Sequence, residues 1–207
     1  MLAGAGAGDR LGSQVPKAFV PCAGRPLWEW SADVLAQVCD ELVFAVPPGH
    51  EDGAGPRRVS GGASRSESVR NALAVLGDAD IVVVHDAARP LLTRELVERC
   101  IAEVDAGWDG AIAAARVTDT IKEADDGGRV IRTLDRARLW SIQTPQAFRA
   151  EVLRRALEDA GAGLADATDD AALVEAAGGS VRVVDAPPGN IKITWPSDLE
   201  LAATRLC

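Results

Sequence analysis

The chain has 207 residues, a formal net charge of -9 and a hydrophobic fraction of 47%. The acidic balance argues against nucleic acid as a general partner, and no apolar run approaches the roughly 18 residues that a membrane-spanning helix requires. Because the first residues, MLAGAGAGDR, lack the basic start and apolar segment of a secretion signal, we expect a cytoplasmic protein.

Strand-like and helix-like segments alternate along the chain. Short apolar or β-branched runs predict buried strands at residues 42–46, 81–84, 111–115, 181–184 and 191–194. Apolar residues at helical spacing predict helices at 27–39, 66–76, 94–104, 151–157 and 171–177. Thr93 and Thr168 are predicted N-caps, and Gly178 a C-terminal stop. This order predicts one α/β domain, residues 1–207, with a Rossmann-like, mostly parallel sheet covered by helices on both faces.

One segment, residues 116–138, interrupts the alternation. It contains two short β-type runs, 118–122 and 130–134, on either side of the turn sequence Asp125-Asp126-Gly127-Gly128. This pattern is typical of a β-hairpin. Because the segment is too polar to form part of a core, we expect it to project from the domain as an arm.

The first candidate site is a glycine-rich loop, residues 4–12, followed by Pro16-Lys17. Alternating glycines allow backbone N–H groups to approach a phosphate chain, and Arg10 and Lys17 add positive charge. The loop is not a dinucleotide fingerprint, because the third glycine is replaced by Asp9 or Leu11 in the two possible registers. It is not a Walker loop, because no Gly-Lys-Ser/Thr sequence occurs. A bare turn remains the alternative.

A second glycine-containing segment, SGGASRSESV at residues 60–69, precedes a predicted helix. Its open backbone could read the edge of a base through main-chain groups, although an ordinary capped helix start explains it equally well. A third segment, VHDAARP, follows the strand at 81–84. Asp86 could bind a metal shell or a ribose hydroxyl and Arg89 a phosphate; a local pair between these two side chains is the alternative.

Lysine usage is a further signal. Of 22 basic residues only Lys17, Lys122 and Lys192 are lysines, and each lies in a motif at a predicted strand end or loop. A compact ammonium and a planar guanidinium differ most at a tight site. Lys192 interrupts the apolar run NIKIT, where a buried lysine without a partner is costly, so an anionic ligand explains it better than packing does.

Together these motifs resemble the 2-C-methyl-D-erythritol 4-phosphate cytidylyltransferase family of the non-mevalonate isoprenoid route. The resemblance covers nearly the whole chain and rests on segments in the same order and approximate spacing: LAGAGAGDRLGSQVPKAF, VSGGASRSESV, VHDAARP, VTDTIK, LWSIQTPQAF, TDDAALVE and NIKITWPSDL. It implies transfer of CMP from CTP to methylerythritol phosphate with release of pyrophosphate. Only three residues precede Gly4, so the first and usually central strand of this fold is expected to be nearly absent. The segment at 47–58 is shorter than the family's usual helix there.

The resemblance also implies residue roles. Arg10 and Lys17 would hold the CTP triphosphate, and Lys192 would bridge CTP and the incoming phosphate. Cytosine would be recognised by the hydroxyl of Ser68 and by the backbone near Ala3, Gly4, Gly62 and Ala63.

In the same way, Asp86 would lie by the ribose and by Mg²⁺ or another divalent cation, as a direct or an outer-shell ligand. Arg89 and Thr144 would line the polyol phosphate site. The family's arm implies a homodimer in which Thr120 and Arg136 reach the partner's site. The alternatives are a ribitol 5-phosphate cytidylyltransferase and a non-catalytic nucleotide-binding domain of the same fold; the VHDAARP and DTIK sequences favour methylerythritol phosphate, and the full set of basic residues favours an enzyme.

Overall fold

The computed structural model describes residues 1–6, 8–13 and 15–206. Its strands are β1 (Leu2–Ala3), β2 (Pro21–Cys22), β3 (Arg25–Pro26), β4 (Val43–Val46), β5 (Arg57–Ser60), β6 (Ile81–Asp86), β7 (Gly110–Arg116), β8 (Lys122–Ala124), β9 (Val130–Thr133), β10 (Trp140–Arg149) and β11 (Val181–Asp185). Its α-helices are α1 (Leu27–Leu35), α2 (Arg65–Val75), α3 (Arg94–Asp105), α4 (Ala150–Asp159), α5 (Asp170–Ala176) and α6 (Pro196–Leu206). Short 3₁₀ helices cover Asp9–Leu11, Lys17–Phe19, Arg136–Arg138 and Gly161–Asp166.

Seven strands form one sheet in the order β11-β7-β10-β6-β1-β4-β5. All neighbouring pairs are parallel except those made by β10, which is antiparallel to both β6 and β7. Alternate residues of β6 point to opposite faces: Val82 and Val84 pack in one core with α2, α4 and α5, whereas Val83 packs in another with α1 and α3. The predicted α/β fold, with a mostly parallel sheet and helices on both faces, is therefore confirmed. None of the helices in the part of the chain that the structure covers is both long and apolar enough to cross a bilayer.

The first strand is short, as expected, but it still lies inside the sheet, between β6 and β4. Leu2 pairs with Phe44 of β4 on one side and with His85 of β6 on the other. The backbone here bonds both neighbours in turn: Ala3 O accepts from Ala87 N beyond β6, and Gly4 N donates to Ala45 O of β4. Ala3, the last residue of β1, consequently lies at the carboxyl edge of the sheet beside Asp86, its partner in β6.

The prediction of a strand at residues 191–194 was wrong. Ile193 donates its backbone N–H to Ala88 O at 2.8 Å, and the N–H groups of Thr194 and Trp195 both donate to the carboxylate of Asp198. The segment is a loop pinned to the end of β6, and Ile193 is buried in a small core under α6. Alternating apolar residues therefore reflected packing and not a sheet ladder.

The N-cap predicted at Thr168 was also wrong by one residue. The side chain of Asp169 accepts from the N–H of Ala172 at 2.9 Å, and α5 begins at Asp170. Thr and Asp are both favoured at the N-cap, so the sequence Thr168-Asp169 did not show which of the two caps the helix. The prediction at Thr93 is confirmed, because its side chain accepts from Leu96 N, and Gly178 ends α5 with a φ of +84°.

The predicted hairpin is confirmed as β8 and β9, which pair in an antiparallel two-stranded sheet separate from the main one. Its first strand begins at Lys122 and not at residue 118 as predicted. The turn is stabilised by Asp125, whose carboxylate accepts from Gly127 N and Arg129 N. Val130 and Ile131 on β9 are 54% and 59% exposed, so the arm carries apolar side chains that its own chain leaves uncovered.

Candidate functional site

A cavity of about 320 Å³ opens at the carboxyl edge of the central strands, where ligands of parallel α/β sheets bind. We call it the first cavity. Its walls come from the glycine-rich loop, the start of α2, the end of β6 and the loop before α6. Nine of the residues implicated by the sequence line it: Ala3, Gly4, Arg10, Lys17, Gly62, Ala63, Ser68, Asp86 and Lys192.

Glycines shape the loop of the first cavity at two points. A Cβ on Gly4 would lie 2.4 Å from Cε2 of Phe44, so the chain can leave β1 over this ring only as glycine. Gly8 has a φ of +78°, and a Cβ there would lie 2.5 Å from Cβ of Lys17. Gly8 therefore lets the loop and Lys17 lie against each other, as the phosphate-loop interpretation requires.

The segment before α2 is fixed by internal hydrogen bonds. Ser68 Oγ accepts from Gly62 N at 3.0 Å and donates to Ser64 O at 2.9 Å. Ala63 N donates to Glu67 Oε2 at 2.7 Å, beside the capping box that Ser64 and Glu67 form. Because the N–H groups of Gly62 and Ala63 are donated within the protein, the backbone groups that these two residues have left for a base are their carbonyl oxygens.

Asp86 is the centre of a charged network at the end of β6. Its Oδ2 accepts from Lys192 Nζ at 2.7 Å and its Oδ1 from Arg65 Nε at 3.1 Å. Arg89 is further away, with its Nε 4.0 Å from Asp86 Oδ2, and it donates from Nη1 to Asn190 O at 2.8 Å. The local pair of Asp86 and Arg89 considered from the sequence is present as a long ion pair, and Arg89 N donates to Asp86 O at 2.9 Å, but Arg65 and Lys192 are the closer side-chain partners.

Burial alone would raise the pKa of Asp86, but Arg65, Lys192 and Arg89 outweigh it and hold that pKa well below its usual range. The carboxylate is ionised at every physiological pH. It therefore gives the wall of the first cavity one fixed negative charge among several positive ones.

Lys17 lies among other cations. Burial lowers its pKa to about 8, and repulsion from Lys192 and Arg10 acts in the same direction. The three side chains all line the first cavity. A polyanion placed between them would relieve this repulsion, which is the electrostatic behaviour expected of a triphosphate site.

A second cavity, of about 560 Å³, adjoins the first. The two share Arg65, Asp86 and Lys192, so these side chains form the wall between them. Arg89 and Thr144, predicted to lie by the second substrate, line the second cavity.

The hydroxyl of Thr144 is engaged inside the protein. His85 Nε2 lies 3.1 Å from Arg89 O, and since a carbonyl only accepts, Nε2 carries the hydrogen. Thr144 Oγ1 then donates to Nδ1 at 3.0 Å and accepts from Asp86 N at 3.0 Å. Burial lowers the pKa of His85 to about 4, so the imidazole is neutral. The described contacts make Thr144 a support for Asp86.

Thr120 and Arg136 line neither cavity in this single chain. Both are exposed on the arm, where the guanidinium of Arg136 donates to the backbone carbonyl of Thr118. Within one chain the site therefore contains all the predicted residues except Thr120 and Arg136.

Two functional candidates were missed from the sequence. Arg65 lines both cavities and pairs with Asp86, and its Nη1 donates to Asp170 Oδ2 at 2.7 Å. Asp170 is completely buried. Arg65 follows two glycines in the segment that was considered for base recognition. Its partner Asp170 is 105 residues away in the chain, so the spacing of neighbouring residues could not indicate their contact.

A divalent cation is the one cofactor implied by the resemblance. Among residues 1–6, 8–13 and 15–206, no group of three or more His, Cys, Asp or Glu is arranged to hold a metal ion. Of the described side chains that line the first cavity, Asp86 is the single carboxylate, and both its oxygens already accept from cations. This donor set fits Mg²⁺ only where phosphate oxygens and water supply most of the ligands, which is the usual arrangement for Mg²⁺ with nucleotides.

The chain is similar to known proteins over its whole length. The model of the family IspD, 2-C-methyl-D-erythritol 4-phosphate cytidylyltransferase, matches residues 1–207. The chain is 40% identical to the enzyme of that name from Nitrosomonas eutropha, with 98% of this chain and 93% of the relative covered. It is 44% identical to a bifunctional IspD/IspF enzyme from Anaeromyxobacter dehalogenans, where all of this chain covers 56% of the relative. The chain thus spans about half the length of the bifunctional relative and nearly all of the other.

Solved structures give the same result. The crystal structure of 2-C-methyl-D-erythritol 4-phosphate cytidylyltransferase from Thermus thermophilus matches with a TM-score of 0.84 and 34% identity, covering 99% of this chain and 96% of that one. The bifunctional IspDF of Campylobacter jejuni matches with a TM-score of 0.81 and 28% identity, covering 97% of this chain and 52% of that one. The chain belongs to the 2-C-methyl-D-erythritol 4-phosphate cytidylyltransferase family.

Proposed function

We propose that this chain transfers CMP from CTP to 2-C-methyl-D-erythritol 4-phosphate across the wall between its two cavities, releasing pyrophosphate. The observation that carries this proposal is the shared wall: Arg65, Asp86 and Lys192 line both cavities. Two separate ligands can therefore meet there. The glycine-rich loop suits the nucleotide and the cavity beyond Asp86 suits the polyol phosphate.

The reaction requires that the two substrates be aligned and that their negative charge be neutralised. An oxygen of the polyol's phosphate monoester attacks the α-phosphorus of CTP, and the bond from that phosphorus to the bridging oxygen of the β-phosphate breaks, so that pyrophosphate leaves with the electron pair. The attacking oxygen is already anionic at neutral pH, and no general base is needed. His85 is consistent with this, since both of its ring nitrogens are occupied within the protein.

The cations then have distinct places in the proposal. Arg10 and Lys17 hold the triphosphate and stabilise the negative charge that builds up at the α-phosphorus. Lys192, which is held against Asp86, stands between the two substrates and draws the incoming phosphate toward CTP. Holding two repelling anions in line is worth several kcal/mol of the barrier in well-oriented systems, roughly 7 or more.

We propose further that Mg²⁺ accompanies CTP, with Asp86 as its protein ligand or outer-shell partner. The ion would neutralise charge on the triphosphate and its leaving pyrophosphate. Asp86 lines the same cavity as the backbone proposed to bind the base, so in this proposal it can also accept from a ribose hydroxyl.

We also propose that the protein is a cytoplasmic homodimer whose arm, residues 116–138, lies on the partner and places Thr120 and Arg136 at the partner's second cavity. A lone two-stranded hairpin is marginally stable in water. The exposed Val130 and Ile131 give the arm an apolar face to bury, and a second copy is the simplest surface with two-fold symmetry.

The test is a pyrophosphate-release assay with CTP and Mg²⁺, run in parallel with methylerythritol phosphate and ribitol 5-phosphate. We expect turnover with methylerythritol phosphate. A preference for ribitol phosphate would replace the substrate but keep the reaction. Binding of CTP without turnover on any polyol phosphate would favour a nucleotide-binding domain.

A further inference from the structure

The side chain of Arg65 forms part of the wall between the two cavities, which the stability of its own helix does not require. It is the first residue of α2, yet its side chain reaches two carboxylates that come from other parts of the fold. Nε donates to Asp86 Oδ1 at 3.1 Å and Nη1 donates to Asp170 Oδ2 at 2.7 Å. A guanidinium can hold both at once because its donors are fixed in a planar fork.

Asp170 binds Arg65 from the side that faces the protein interior. It lies at the start of α5, is completely buried, and does not line either cavity. Its pairing with Nη1 therefore fixes the guanidinium from the protein side and leaves Nε toward Asp86. The side chains form a chain of alternating charge from the core to the cavities: Asp170, Arg65, Asp86, Lys192.

We infer that Arg65 is a positioning residue for the transfer reaction: clamped by Asp170, it fixes one oxygen of Asp86 so that the other holds Lys192 between the two cavities. This inference rests on the proposed function, because it explains how the ammonium that meets both substrates is kept in place. The competing explanation is that Arg65 serves only to neutralise the buried charge of Asp170.

The two explanations make different predictions for a double substitution. In Arg65→Met alone, Asp170 is left buried without its cation, and the protein should lose about 10 °C or more in Tm. Asp170→Asn added to this change removes the uncompensated charge while keeping the side-chain shape. Arg65→Met/Asp170→Asn should therefore recover most of the lost Tm.

If Arg65 positions Asp86, the double variant will fold but stay impaired. We expect its kcat to be about 10²-fold below wild type, since misplacing an aligning group by about 1 Å costs this much. The Kd of CTP measured without polyol phosphate should change by less than about threefold, because Arg10 and Lys17 still hold the triphosphate. Recovery of kcat together with Tm would overturn the inference.

The three lysines allow a second measurement that does not depend on turnover. Lysine labelled with ¹³C at Cε gives one NMR signal each from Lys17, Lys122 and Lys192, and Lys→Arg variants assign them. In the double variant the Lys192 signal should shift because Asp86 no longer holds the ammonium in the same place. The Lys122 signal should not shift, since its Nζ donates to Thr133 on the arm.

An unchanged Lys192 signal in the folded double variant would overturn the inference whether or not the wild type is active. An inactive wild type with a shifted Lys192 signal would instead reject the proposed function alone. Arg94→Met is the matched control, because it removes an exposed arginine paired with Glu98 on α3; it should leave Tm, kcat and all three signals near wild type.

Discussion

Lys192 and Asp86 are 106 residues apart in the chain, and their side chains meet at 2.7 Å. The contact joins the loop before α6 to the end of β6, at the wall between the two cavities. The ammonium is compact enough to be held by one carboxylate oxygen while its other hydrogens remain for phosphate. A guanidinium at this place would be larger and planar.

We therefore predict that Lys192→Arg lowers kcat by about 10²–10³-fold, as loss of a transition-state contact does. Lys17→Arg should behave in the same way. The measurement is steady-state pyrophosphate release. Lys122→Arg is the matched control, because this lysine is on the arm and should tolerate the change; near-normal turnover in Lys192→Arg would show that the ammonium is not required.

The lowered pKa of Lys17, about 8, predicts a pH dependence of CTP binding. A triphosphate favours the ammonium, so binding near pH 8 should take up a proton and affinity should fall as pH rises through and above 8. Calorimetric titrations at pH 8 in buffers of different ionisation enthalpy measure this uptake. In Lys17→Arg the uptake should disappear; if it persists, another group titrates.

His85 predicts a pH dependence of stability. Its pKa is about 4 in the folded protein and about 6.5 in an unfolded chain. The unfolded state therefore binds more protons between these values, and the stabilisation, complete above about pH 6.5, is lost as pH falls to about 4. The full loss is about 3 kcal/mol.

The measurement is urea unfolding from pH 7 to pH 4 in the wild type and in His85→Gln. The variant should start less stable, because Thr144 loses its acceptor, and its free energy of unfolding should fall less steeply. His50→Gln controls for loss of the other histidine. Parallel pH profiles for the wild type and His85→Gln would contradict the prediction.

Base selectivity should follow from the backbone before α2. The N–H groups of Gly62 and Ala63 are donated internally, so the edge presents acceptors, which suit the amino group of cytosine and repel the carbonyl of uracil. We predict that kcat/KM for CTP exceeds that for UTP by at least about 10²-fold, since a mispaired buried polar group is heavily penalised. Equal use of UTP at matched Mg²⁺ would argue against this interpretation.

Sharing of the active site between subunits can be tested by complementation. Arg136→Ala and Lys17→Ala should each be nearly inactive as homodimers if Arg136 acts in the partner's site. After joint refolding, random pairing makes about half the dimers mixed, each with one intact site in two, so activity should recover to roughly a quarter of wild type. Verified exchange by mass without any recovery would show that the arm does not act in trans.

The sequence predicted most of the fold because its signals were local. Residues 81–84 and 111–115 were apolar enough to be recognised as buried strands, and the turn at Asp125 marked the hairpin. β10 was missed because Thr144, Pro145 and Gln146 interrupt its apolar pattern, although Ala147 and Phe148 are buried in the sheet. The strand is recognisable only beside β6 and β7, with which it pairs in space.

The cavity residues were predictable where a motif held them together, as in the loop from Gly4 to Arg10. Arg65 and Asp170 were not, because their role depends on where α2 and α5 begin in space. One of the two reasons for singling out Lys192 was wrong: it was taken to interrupt a strand, whereas it lies in a loop whose neighbours are pinned by Ala88 and Asp198.

The route of β10 has a consequence for how this family can vary. The strand leaves the arm at Trp140, pairs with Arg116 at its base, shifts register between Ile142 and Gln146, and then continues between β6 and β7. Thr144, which holds Asp86, lies at that shift. An insertion at the base of the arm would displace the wall between the cavities, whereas one at the turn near Gly127 would not. Natural length differences among relatives should therefore collect at the tip of the arm, and its base should keep a constant length.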